Sequence, residues 1–280
     1  MASVSGQTVL ITGAARGIGL EVARRLVARG AQVALLGLEP ELLEARAREL
    51  GDRAWWREAD VADADALNAA VTAAAEHFGG IDVVVANAGV APNGPVATVD
   101  PALFERTIQV NLIGVWRTVR ACLPYVIERR GYVLPIASVA AAIHSPMMAA
   151  YNASKAGVEA FADSLRTEVA HTGTRVGCAY FGFIDTDMVR RSFSRESGRN
   201  ARERLRGPLA PAPVGVAADA VVRGIERRSR YVVAPRWVLP VLFARTLIQP
   251  LAERSARGDD LVESIRLSAT EPGELTTPQP

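Results

Sequence analysis

The sequence predicts a doubly wound α/β domain, a parallel β-sheet covered by helices on both faces. Three observations carry this. Short apolar runs alternate with helical stretches along the chain, as in successive βαβ units. The first run leads through three glycines straight into a helix. Residues 81–86 (IDVVVA) are almost uniformly apolar, as a strand buried on both faces must be.

In order, the first strand is expected over 8–11, and 17–29 (GIGLEVARRLVAR) is an amphipathic helix. A second strand covers 31–36. The helix at 40–50 opens on Pro40, whose fixed φ and missing N–H suit a first turn. A third strand near 54–56 precedes a helix at 64–77. After 81–86 come a long helix at 101–127, a strand at 132–137, a helix at 149–170 and a strand at 175–180. A helix at 217–228 and a short strand at 231–233 complete the alternation. With no repeat and no linker, 1–235 read as one domain. Two segments break the pattern. Residues 184–214 are polar, rich in Arg and Ser, and close on GPLAPAP, as expected of a substrate-side insert over the carboxyl edge of the sheet. Residues 236–251 (RWVLPVLFARTLIQPL) are apolar but broken by Pro240, Arg245 and Pro250. They begin an extension, 236–268, expected to pack on the domain or on a neighbouring subunit. Residues 269–280 have the composition of a disordered tail.

The 280 residues can bury one large core. Hydrophobic content of 49% with 22% charged residues is ordinary for a soluble protein, and a net charge of +2 makes no case for nucleic acid or an anionic membrane. Cys122 and Cys178 have neither metal-like nor disulfide-like spacing, so free thiols, no metal site and a reducing cytoplasm are expected. The start lacks the apolar core of a secretory signal, and no stretch is long enough to span a bilayer.

The chemistry gathers between Ser138 and Lys155. Tyr151 and Lys155 lie four apart on one predicted helix and so share a face. An ammonium beside a phenol favours the phenolate, pulling tyrosine down from about 10 towards working pH. That makes a general acid/base for a carbinol or carbonyl oxygen without histidine. Upstream, Gly13, Gly17 and Gly19 are spaced G-x-x-x-G-x-G between a strand and a helix, which lets the backbone approach a pyrophosphate at the helix N-terminus.

Together with Asn87-Ala88-Gly89, Asn111 and Ser138, these motifs resemble the short-chain dehydrogenase/reductase family over about residues 6–234. The resemblance implies a Rossmann-type fold, a nicotinamide cofactor and hydride transfer between an alcohol and a ketone or aldehyde. By it, Tyr151 is the acid/base and Ser138 orients the substrate oxygen. Lys155 lowers the pKa of Tyr151 and binds the nicotinamide ribose, and Asn111 holds a water that extends a proton relay. Gly13, Gly17, Ile18 and Gly19 would line the pyrophosphate, Asp60 and Val61 the adenine, and Asn87, Ala88 and Gly89 the adenosine ribose side. Gly182, Ile184 and Thr186 would meet the nicotinamide amide. A homodimer or homotetramer through the helices at 101–127 and 149–170 is implied as well.

Three departures from the family pattern stand out. Phe181-Gly182 replaces Pro-Gly. Pro135 sits inside a strand, where it removes a ladder donor. Gly37-Leu38 offers neither the acid that grips ribose hydroxyls nor the base that grips a 2′-phosphate. Arg16 can reach such a phosphate, so the expectation leans to NADP(H), with NAD(H) the alternative if Glu39 folds inward. His144, Met147 and Met148, with Phe183 and Phe193, are candidate walls of a pocket for a bulky apolar secondary alcohol or ketone. Trp55 and Trp56 are expected at the sheet edge near the adenine. The alternatives are a non-catalytic nucleotide-binding regulator on the same scaffold and a membrane-peripheral dehydrogenase of steroid, retinoid or lipid type.

Overall fold

A computed structural model describes residues 3–194, 197, 206–255 and 258–268. Strands β1 (Thr8–Thr12), β2 (Gln32–Gly37), β3 (Ala54–Glu58), β4 (Val83–Ala86), β5 (Tyr132–Pro135) and β6 (Arg175–Val176) form one sheet in the order β3-β2-β1-β4-β5-β6, every pair parallel. The crossovers are α1 (Gly17–Val27), α2 (Pro40–Leu50), α3 (Ala64–Phe78), α4 (Pro101–Ile108), α5 (Gly114–Glu128) and α6 (Ala149–Glu168). Successive strand residues point to opposite faces, and the core divides accordingly. Val9 and Ile11 pack with Val22, Leu26 and Val221 on one side. Leu10 packs with Leu67, Val119 and Val158 on the other. The periodicity read from sequence is thus the periodicity of two cores.

Local chemistry fixes several helix starts. Asp63 caps α3 by accepting from the backbone N–H groups of Asp65 and Ala66, each at 3.0 Å. Asp100 caps α4 through Ala102 N–H at 2.9 Å, ahead of Pro101 in the first turn.

The structure departs from expectation in three places. The long helix at 101–127 is two helices joined by a π-helical turn, Gln109–Ile113. The strand at 175–180 breaks at Gly177, where the Tyr132 hydroxyl crosses to donate to Ser229 O at 2.7 Å. Beyond that break β7 (Cys178–Phe181) pairs with β8 (Tyr231–Ala234) as a separate ribbon, tied to the main sheet by an Ile136–Ala179 bridge. Pro135 holds the last position of β5, opposite Ala86, so its missing donor falls where the regular ladder ends. The insert includes α7 (Asp187–Ser194), and α8 (Val214–Arg227) follows it. The apolar 236–251 segment becomes two short helices, α9 (Val238–Phe243) and α10 (Arg245–Ser255), followed by α11 (Asp259–Ser268). Both cysteines are free and buried. Among the described residues no helix is long and apolar enough to cross a membrane. The expected tail at 269–280 lies outside the described residues.

The β4–β5 register leaves no room at the turn into β5. A Cβ on Gly131 would stand 1.9 Å from the Asp82 carbonyl oxygen, which accepts from Tyr132 N–H at 2.9 Å. Gly131→Ala should therefore lower the unfolding free energy by about 3 kcal/mol, read from a urea transition. Gly258→Ala, with open space around it, should stay within about 0.5 kcal/mol of the parent. Equal midpoints for the two variants would show that this register is wrong.

Candidate active site

The strand order reverses between β1 and β4, so their connections leave in opposite directions and open a cleft at the carboxyl edge of the sheet. Its floor is the turn from β1 into α1. Asn87 holds that turn from below, donating Nδ2 to the carbonyls of Thr12 at 2.9 Å and Gly13 at 3.2 Å. The Thr12 hydroxyl accepts from the N–H groups of Asn87 and Ala88 at 3.0 and 3.1 Å. A Cβ on Gly19 would lie 2.5 Å from Gly13 O and 2.8 Å from Asn87 Nδ2, so only glycine lets these parts close up. Arg16, at the N-cap of α1, makes no side-chain capping bond, which leaves the first N–H groups of the helix as anion donors.

From that turn the cleft runs past Leu38, Asp60 and Val61 in one direction. In the other it passes Asn87, Ala88 and Gly89 to Ser138, Tyr151 and Lys155, with Gly182, Ile184 and Thr186 opposite. Gly13, Arg16, Gly17 and Ile18 line it as well. Gly19 and Asn111 are not among the lining residues and act through their neighbours. A long groove with an anion-binding helix terminus midway fits the shape and charge of a dinucleotide.

The end at Tyr151 is held by buried polar contacts. Lys155, 4% exposed, donates its Nζ to Ile136 O at 2.8 Å and lies 5.6 Å from the centre of the Tyr151 ring. Asn111 is fully buried in the π turn. Its Oδ1 accepts from Val90 N–H at 2.8 Å, and its Nδ2 donates to Val90 O at 2.8 Å and to Ser154 Oγ at 3.2 Å. That side chain is fully engaged as a clamp on the strand-four loop. Ser138 accepts from Ala140 N–H at 3.1 Å and donates to Phe181 O at 3.3 Å.

The electrostatics correct one expectation. Burial raises the Tyr151 phenol above its usual range, and the hydrogen bond with Ser138 only partly offsets this. Lys155 is not among the groups that lower it, and burial pushes the lysine itself down to about 8, so it loses its proton before the raised phenol does. In the cofactor-free chain, the group that lowers Tyr151 is Ser138.

Glu39 folds inward, the case that made NAD(H) the alternative, and it meets Arg16 in a two-pronged ion pair. Several residues that sequence reasoning missed line the cleft as well. Arg106 is one, donating to Asp60 at 2.8 Å. Met188 and Val189 of α7 supply apolar wall. Trp237 explains Phe181-Gly182. Its ring lies 2.7 Å from where a Gly182 Cβ would be, so this bend needs glycine. None of these has a local sequence signal, since each is brought in from a different element. Conversely, His144, Met147 and Phe183 do not line the cleft. His144 is exposed, Phe183 packs on Phe193 at 5.9 Å, and Met147 adopts a left-handed backbone (φ 64°) braced by Gly94 N–H. Trp55 and Trp56 lie on the edge strand β3 as expected, with Trp55 stacked on His77 at 6.0 Å, but neither reaches the cleft.

Comparison with known proteins gives a consistent result. The model of the short chain dehydrogenase family matches residues 7–197. The chain is 34% identical over 227 residues to 2-(R)-hydroxypropyl-CoM dehydrogenase of Xanthobacter autotrophicus, covering 77% of this chain and 90% of that one. It is 31% identical over 262 residues to 11-beta-hydroxysteroid dehydrogenase 1A of Arabidopsis thaliana, covering 90% and 75%. The solved structure of gox2181 superposes with a TM-score of 0.75 over 82% of this chain and 93% of that one. At 24% identity it speaks to the fold alone.

Asn111→Ala would leave the Val90 N–H and carbonyl buried without partners, at about 1–3 kcal/mol each. We expect the variant to lose about 2–5 kcal/mol of stability by urea unfolding. A loss within about 0.5 kcal/mol would mean that the clamp does not hold the loop.

Proposed function

The chain belongs to the short-chain dehydrogenase family, and on that premise we propose which residues act, which cofactor they take and what they act on. The protein is an oxidoreductase of CH–OH groups that uses a nicotinamide cofactor. The observation that carries our reading is the meeting of Tyr151, Ser138 and Lys155 at one end of a groove whose middle is the glycine turn. Bound there, the nicotinamide supplies the hydride chemistry.

In this reading the Tyr151 hydroxyl gives a proton to the substrate oxygen during reduction and takes it back during oxidation. Ser138 Oγ hydrogen-bonds that oxygen and the phenol, favouring the phenolate. Lys155, anchored on Ile136 O, keeps a donor beside Tyr151 and the adjoining ribose. Asn111 acts through its neighbours. Its side chain is committed to Val90, so the expected water falls to its backbone carbonyl in the π turn. Met188, Val189 and the apolar side of α7 support a secondary alcohol or ketone with an apolar substituent.

For the cofactor we propose NAD(H). The expectation of NADP(H) rested on a free Arg16, but Arg16 is paired with Glu39, and Asp187 stands 3.8 Å away. A guanidinium already paired with Glu39 is a poor host for a phosphate dianion, and Asp187 is itself held by Arg190 at 2.8 Å. A Glu39 carboxylate steadied by Arg16 is a good acceptor for two ribose hydroxyls. Residues 1–235 form the dinucleotide-binding domain in this reading, with 236–268 an extension on it. A homodimer or homotetramer through α5 and α6 is supported by Trp116, exposed on α5 with Arg120 stacked 5.5 Å over its ring. The buried free thiols support a reducing, cytoplasmic setting.

A panel of secondary alcohols and ketones, followed by nicotinamide absorbance with both cofactors, tests this reading. Tyr151→Phe should keep cofactor affinity while turnover falls by about 10²–10⁴. Turnover within a few-fold of the parent would remove Tyr151 from its role. Glu39→Gln should weaken NADH binding by about ten-fold, a lost hydrogen bond from a charged acceptor, and narrow the preference for NADH. A parent that binds NADPH more tightly than NADH would overturn the cofactor assignment.

A further inference from the structure

The end of the described chain carries an apolar surface that the groove does not use. Helix α9 buries Val238 and Leu242 in the cluster that holds Ala141 and Ala142, just behind the Ser138 turn. The residues turned outward recur every four positions. They are Leu239, Phe243, Leu247 and Leu251, exposed by 38, 68, 73 and 60%. Fourfold spacing keeps Leu239 and Phe243 on one side of α9, and Leu247 and Leu251 on one side of α10. Ala244 (φ −94°, ψ 11°) lies outside the helical region, so the two pairs stand on successive helices. A run of large apolar side chains in open solvent marks a surface that something covers.

The flank of this ridge is cationic. Phe243 packs edge-on against Tyr231 at 5.7 Å, and the Arg230 guanidinium lies 5.2 Å over the same tyrosine ring. Residues 228–254 contain five arginines and a single acid, Glu253. Not all of that charge is free. Glu159 holds Arg245 at 2.7 Å, and Asp163 lies 3.7 Å from Arg230. Arg236 and Arg254 are exposed at the two ends of the ridge. Arg228 keeps a left-handed backbone (φ 50°) that glycine or asparagine would adopt with less strain. A small net charge on the whole chain hides this local excess.

We propose that the α9–α10 ridge docks on the surface of an anionic phospholipid bilayer. Phe243 and the leucines enter the headgroup–acyl boundary, and the arginines meet lipid phosphates. Helices of six and eleven residues lie on a bilayer rather than through it. The contact also reaches the substrate side. Gln249, between Leu247 and Leu251, accepts from His144 N–H at 2.8 Å and donates to His144 O at 3.4 Å. His144 belongs to the loop linking Ser138 to Tyr151, so the membrane-facing helix is bonded to the loop beside the reacting groups. An apolar alcohol dissolved in the bilayer is then presented near its site. This last step rests on the oxidoreductase reading; the docking itself does not.

The test is sedimentation of the full-length protein with phosphatidylcholine vesicles and with vesicles containing about 30% phosphatidylserine. The parent should pellet with the anionic vesicles and be released in roughly 0.5 M salt. Phe243→Ser with Leu247→Ser should cut the bound fraction about ten-fold, since each removes a large apolar contact, while turnover of a water-soluble secondary alcohol is kept. A parent that stays in the supernatant, or a double variant that binds as well as the parent, would overturn the proposal. So would a parent that ignores vesicles while the double variant falls from oligomer to monomer by light scattering, which would assign the ridge to a second copy. Vesicle binding without turnover of any alcohol would support the docking and count against the oxidoreductase reading alone.

Discussion

The site depends on a buried ammonium. Lys155 is the only lysine in the chain, set against thirty-one arginines, and among the described residues it is the one cation that the fold takes almost wholly out of water. An arginine could not play this part, because its guanidinium keeps its proton under all ordinary conditions. Lysine can give its charge up, and burial moves it to about 8 from its usual 10.5. Between those two values the unfolded chain holds more protons than the folded one. Lys155 therefore destabilises the native state below about pH 8 and progressively less as pH rises towards 10.5. That cost is tolerated where the lysine organises chemistry. Its Nζ is fixed by the Ile136 carbonyl at the end of β5, and its helix is seated by the Asn111–Ser154 contact from the π turn.

The same logic applies at the other end of the groove. There Arg16 is balanced by Glu39, and Asp187 is held by Arg190 at 2.8 Å. The two ends are thus built oppositely. One isolates a positive charge from water beside the reacting groups, and the other neutralises a positive charge near the surface where a ribose would lie. Between them the glycine turn and the α1 terminus supply donors without any side-chain charge.

Most of the fold was legible because strand and helix periodicities leave direct traces, and the two cores on either side of β1 are those traces in space. The π turn was not legible, because residues 109–113 (QVNLI) have good helical periodicity and the widening comes from Asn111 reaching across to Val90. The break at Gly177 was hidden for a similar reason, since it depends on a hydroxyl from β5 crossing to Ser229. The glycine turn and the Ser138, Tyr151 and Lys155 group were readable as local spacing. Arg106 and Trp237 were not, since their positions are set by packing between distant elements, and for the same reason spacing named Glu39 but left open whether it folds inward. His144 and Met147 show the reverse failure. A loop that runs between two site residues need not point its side chains into the site. The Tyr151 proton affinity was misjudged because spacing reveals a neighbouring charge but not the burial that raises the phenol.

Lys155 can be observed directly. Lysine labelled with carbon-13 at Cε places the label at this residue alone, so one resonance followed against pH in the cofactor-free protein reports its titration. A buried, carbonyl-anchored amine beside Tyr151 predicts a midpoint at about 8. A midpoint at the free value of about 10.4 would place Lys155 in solvent and contradict the site as described.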